Sequence, residues 1–105
     1  MTEGRQDGAG GGFAAIDPRL TVFALANGMD LAKGDGYRRL EWFSDGFERG
    51  IVIEAHADGA FRVSVLSWKT GQATDTAKHV PIRDRVLLDE VMHVLDGAIV
   101  DANGL

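Results

Sequence analysis

The chain contains no cysteine. That removes disulfides, thiolate metal sites and cysteine nucleophiles from consideration. No apolar run approaches the ~20 residues that a membrane-spanning helix needs. The N-terminus carries no apolar core of a secretory signal. Basic residues are outnumbered, with 11 Lys and Arg against 16 Asp and Glu and a formal net charge of −5. Such a balance argues against general nucleic-acid binding and against an anionic membrane surface. The expectation is therefore a soluble cytoplasmic chain. Its two prolines, Pro18 and Pro81, leave most of the 105 residues free to form regular structure. With 45% hydrophobic and 26% charged residues, that length suits one modest core in a single domain.

Residues 1–15 hold five glycines and scattered charges, and they read as a disordered tail ahead of a domain spanning 16–105. The Gly8–Gly12 run is no phosphate-binding loop, because no strand precedes it and no Gly-Lys-Ser/Thr follows. Asp17-Pro18 is a helix-start signal for a helix over Ile16–Lys33, with a strand over Leu20–Ala26 as the alternative. Asn27-Gly28 is a point where that helix can stop. Gly34-Asp35-Gly36 separates it from the first strand.

Tyr37–Lys69 is the centre of the chain. Three strand-like runs are divided by Ser44-Asp45-Gly46 and Ala57-Asp58-Gly59, a two-hairpin pattern. Either a two-residue or a three-residue loop fits each turn. A three-residue loop opposes Phe43 to Phe47, Glu41 to Arg49, Glu54 to Arg62 and Ile53 to Val63. These pairings are each worth roughly 0.2–1 kcal/mol over Ala–Ala, so the three-residue register is expected at both turns. It assigns Tyr37, Phe43, Phe47, Ile51, Ile53, Ala55, Phe61, Val63 and Val65 to one sheet face. The other receives Leu40, Trp42, Val52, Leu66 and Trp68, among Glu48, Glu54, His56, Arg62 and Ser64.

Thr74–Val80 reads as a polar fourth strand at an edge, ended by Pro81. Ile82–Ala102 reads as a helix, with Leu88, Val91, Met92, Leu95, Ile99 and Ala102 at three- and four-residue steps and Asp84 as its cap. The predicted fold class is α+β. A four-stranded antiparallel meander is flanked by an N-terminal and a C-terminal helix in two layers.

Sites of chemistry are sparse. His56, His79 and His93 fall on separate elements, short of the three or four convergent ligands of a zinc site. Glu48 and Glu54 lie ~20 Å apart at ~3.3 Å per residue, too far for an acid/base dyad. Lys69-Thr70-Gly71 matches a fragment of the serine penicillin-binding signature, but no Ser-x-x-Lys accompanies it. Arg38 and Arg39 with Tyr37 and Trp42 form a thin basic-aromatic strip, too small for a single-strand groove. No cofactor is called for. Two readings of the second face compete: a helix covers its tryptophans, or the face is an open contact surface. The second predicts a non-enzymatic binding or adaptor module, self-associating as a homodimer or meeting a protein partner through Leu40, Trp42, Val52, Leu66 and Trp68. The alternative is a binder of a small anion, or a small enzyme, using Arg62, His56 and Glu54.

Overall fold

The computed structural model of the chain describes residues 12–72 and 77–105. The tail expected at the N-terminus lies outside these up to residue 11, but its last residues do not belong to it. Helix α1, Phe13–Asn27, begins inside that stretch and buries Phe13, Ile16, Leu20, Phe23 and Ala24. Gly28 ends it in the left-handed conformation, φ 67°. The amide of Met29 then returns to the Ala24 carbonyl at 2.8 Å. Asn27-Gly28 is thus the stop its chemistry suggests.

Five strands follow instead of four: β1 Asp30–Gly34, β2 Tyr37–Ser44, β3 Phe47–Ala55, β4 Phe61–Lys69 and β5 Lys78–Val86. They form one antiparallel meander in sequence order. The added strand is β1, from the segment read as helix beyond Gly28. Gly34 pairs with Tyr37, so Asp35-Gly36 is a hairpin turn. The last strand starts at Lys78, with residues 73–76 of the expected Thr74–Val80 strand outside the described residues. It runs through Pro81 to Val86, over the start of the expected last helix. The ladder with β4 is irregular at two points, and an edge strand tolerates a missing N–H there. A short 3₁₀ turn, Leu88–Glu90, leads into helix α2, Val91–Asn103.

The two Asp-Gly turns differ. The β3–β4 hairpin has the expected register, with Glu54 opposite Arg62, Ile53 opposite Val63 and Ala55 opposite Phe61. The amide of His56 donates to the Ala60 carbonyl, leaving a three-residue loop. The β2–β3 hairpin does not follow. Ser44 pairs with Phe47, Phe43 with Glu48 and Trp42 with Arg49, a two-residue loop. Asp45 and Gly46 both have positive φ, 55° and 82°. That is the primed turn whose twist suits adjoining strands.

The one-residue difference turns β2 over. Leu40 and Trp42 lie on the same face as Ile51 and Ile53, whereas Tyr37 and Phe43 lie on the other. Both helices cover the Leu40 face. One core results, joining Phe13, Leu20 and Phe23 of α1 to Val91, Leu95 and Ala98 of α2 over Leu40, Ile51, Ile53, Val63 and Val65. The arrangement is α+β with two layers.

Tight hairpin geometry makes Gly46 a point of sensitivity. A left-handed non-glycine residue costs roughly 1–2 kcal/mol. Gly46→Ala is expected to lower unfolding stability by about that amount in urea denaturation.

Candidate functional site

The sheet face that neither helix covers among the described residues is built from four cross-strand rows. Phe43, Glu48 and Trp68 form the first. Asp30, Glu41, Gly50, Leu66 and His79 form the second. Ala32, Arg39, Val52, Ser64 and Pro81 form the third. Gly34, Tyr37, Glu54 and Arg62 form the fourth. Phe43 is 61% exposed and Tyr37 37% exposed, while Val52, Leu66 and Trp68 are half-buried.

Of the residues singled out in the sequence, Val52, Glu54, Arg62, Leu66 and Trp68 share this face. Leu40 and Trp42 do not, and assigning them to a contact surface is corrected by the β2 register. Leu40 is fully buried. Trp42 packs against the core, and its indole N–H donates to Asn103 Oδ1 at 3.1 Å. Trp42 thus sits under a helix end, as one of the two readings had it, whereas Trp68 does not. The Arg38–Arg39 strip also divides. Arg38 turns inward to Asp17 at 2.9 Å and lies over the Phe13 ring, and Arg39 turns outward.

Glu54, Arg62 and His56 do come close together, around a residue the sequence reading placed elsewhere. Asp84, expected as a helix cap, stands on β5. Arg62 approaches Asp84 at 3.1 Å and Glu54 at 3.6 Å. His56 Nε2 lies 2.5 Å from the Asp84 carbonyl oxygen, a contact that requires that nitrogen to donate. Two carboxylates already flank the Arg62 guanidinium, so the cluster does not offer an unshared cation to an anion. These pairs are exposed, and such pairs are worth about 0–1 kcal/mol.

The concave part of the face lies two rows away. A cavity of about 460 Å³ is lined there by Arg39, Glu41, Leu66, Trp68, Ala77 and His79, while the Leu66 side chain packs over the buried Gly50. Arg39 Nε stands 2.6 Å from Glu41 Oε2. His79 Nε2 lies 2.9 Å from Ser64 Oγ. Sequence reasoning missed this cavity because it depends on the β2 register, which turns Arg39 and Glu41 to this face. A second concavity, mostly apolar, lies between the helices along Val22, Phe23 and Met92.

Among the described residues, no three His, Asp or Glu side chains gather as a metal site would require. No helix among them is long and apolar enough to cross a membrane. No family model matches the chain, no curated protein is similar to it, and no solved structure matches it.

The β3–β4 loop carries a titrating group. Asp58 accepts the Ala60 amide at 3.1 Å and pairs with Arg85. The Ala60 amide first, then the Arg85 guanidinium, hold its carboxyl below the ordinary range. A lowered folded-state pKa means that Asp58 contributes stability above the ordinary carboxylate range. That contribution is lost as pH falls through the folded value. Asp58→Ala is expected to be less stable than wild type at neutral pH, and the two melting curves should converge in acid. The tryptophans should also separate. Trp42→Ala is expected to cost somewhat less than the ~3–5 kcal/mol of a fully buried Trp→Ala change, because Trp42 is half-buried against the core. Trp68→Ala should cost less than about 1 kcal/mol, both read by urea denaturation.

Proposed function

We propose that this chain is a non-enzymatic binding module that self-associates through the uncovered sheet face. The observation that carries the reading is the one-sided layering. Both helices lie on the Leu40–Ile51 face, so Tyr37, Phe43, Val52, Leu66 and Trp68 have no cover from the rest of the described chain. A solvated antiparallel face is ordinarily mostly polar, and aromatic residues concentrate in the cores of interfaces.

A second copy is the occupant that size favours. Five strands at about 4.8 Å spacing, eight or nine residues long through the middle, give a face of roughly 600–700 Å². Two such faces stacked together bury more than the ~1,000 Å² of a specific interface. The main cations of the face, Arg39 and Arg62, already have carboxylate partners on the same chain. Two-fold dimers are also the commonest soluble assemblies. The Arg62–Glu54–Asp84 cluster adds nothing that would favour a free anion over this partner.

Trp68→Lys tests the proposal. Sedimentation equilibrium should give a dimer for wild type and a monomer for the variant, with circular dichroism unchanged. A wild-type monomer at about millimolar concentration, weaker than ordinary non-covalent complexes, would refute it.

A further inference from the structure

The helix layer, on the other side of the sheet from the self-association face, carries a groove of its own. It opens between α1 and α2 with a volume of about 560 Å³. Pro18, Val22 and Ala26, each one helical turn from the next, line it from α1, and Met92 lines it from α2. Phe23 also lines it and is only 9% exposed. Val22 is 66% exposed, and Leu25, one turn along α1, is 78% exposed. Exposed apolar side chains gathered inside a polar rim mark a contact site. At 1.5 Å per residue, Pro18 to Ala26 span about 12 Å. A docked amphipathic helix presents its anchors at i, i+4 and i+7 over a similar length.

The rim decides which kind of helix fits. Asp96 stands on the α2 lip and Arg19 on the α1 lip. From Leu88 to Asn103 the chain has Asp89, Glu90, Asp96 and Asp101 but no Lys or Arg. All four acidic residues are exposed. Helix α1 adds Asp17, which Arg38 already holds, and a single cation, Arg19. A partner's cations are therefore drawn to the α2 side, while Arg19 keeps them from the α1 side.

The same charges argue against two other occupants. A second copy would bring only Arg19 from its helices against these carboxylates and would set its own acidic α2 beside them, a like-charge juxtaposition. An anionic lipid surface would meet the same repulsion.

We propose that the groove between α1 and α2 takes an amphipathic helix of another protein, apolar toward Val22 and Met92 and basic along the edge that meets α2. The site does not depend on the self-association reading, because it lies on the opposite layer.

A fluorescein-labelled peptide of about 18 residues, five helical turns, tests this on the full chain. It carries Leu at i, i+3, i+4 and i+7 steps and Lys elsewhere. Fluorescence anisotropy should show saturable binding that weakens as salt rises. A peptide of the same composition with its leucines scattered off one face should bind at least about tenfold more weakly, as should one with Glu in place of Lys. Val22→Lys should weaken binding of the first peptide by about tenfold or more. Position 22 is exposed, so circular dichroism should be unchanged. Asp96→Asn should weaken it by about two- to fivefold. Backbone amide resonances that shift on titration should belong to residues 19–27 and 92–96, which border the groove. Trp68→Lys should leave peptide affinity unchanged, which separates this site from the self-association face. The proposal is overturned if no saturable binding appears at about millimolar concentration, if the scattered-leucine or Glu peptide binds equally well, if Val22→Lys leaves affinity unchanged, or if the shifts fall around Trp68.

Discussion

Two consecutive residues at positive φ, Asp45 and Gly46, determine which side of the sheet every residue of β2 takes. A loop one residue longer would send Leu40 and Trp42 outward and bring Phe43 inward. Because the loop has two residues, Leu40 completes the layer made by Ile51, Ile53, Val63 and Val65. The same parity turns Arg39 and Glu41 to the outer face, where they line the cavity with Leu66 and Trp68. Core and candidate interface therefore descend from one turn. Any change that lengthens that turn would alter both at once.

The inner face is not uniformly apolar. Its row of Trp42, Arg49, Ser67 and Lys78 ends the greasy layer on one side. Arg49 is only 4% exposed, yet its guanidinium makes its hydrogen bonds to neutral groups. It donates to the Ala102 carbonyl at 2.8 Å and to Ser67 Oγ at 3.3 Å, and it lies near the Phe47 ring. The last carbonyls of a helix carry partial negative charge, so the end of α2 serves as the counter-charge. Trp42 reaches Asn103 beside it. Together they fix the end of α2 against the sheet, at the opposite end from the contact of Phe13 with Phe61.

Much of this was legible in the residues. Asn27-Gly28 marks the end of α1, and Ile53–Val63 with Glu54–Arg62 identifies the second hairpin register unaided. The first hairpin misled because Trp42 opposite Arg49 looks like a poor pair on a solvent-facing surface. It is a good one when Arg49 binds a helix end, a partner more than fifty residues away that a strand pattern does not reveal. β1, Asp-Leu-Ala-Lys-Gly, lacks β-branched residues and is a strand through its pairing with β2. Pro81 suggested a strand end, but on an edge with irregular pairing it is accommodated inside β5. For the candidate site, Val52, Leu66 and Trp68 were recognisable from alternation alone. Phe43 and the cavity lined by Arg39 and Glu41 were not, since each depends on the register of β2.

The β5 border has a consequence for how copies of this chain can accumulate. Lengthening the sheet by another chain requires a continuous ladder of free amides and carbonyls. Pro81 has no amide hydrogen, and the two irregularities bend the strand's alignment. Charged Arg83, Asp84 and Arg85 are exposed along the same border. The opposite border, β1, offers only five residues. Growth strand by strand into fibrils is thereby disfavoured at both borders of the sheet.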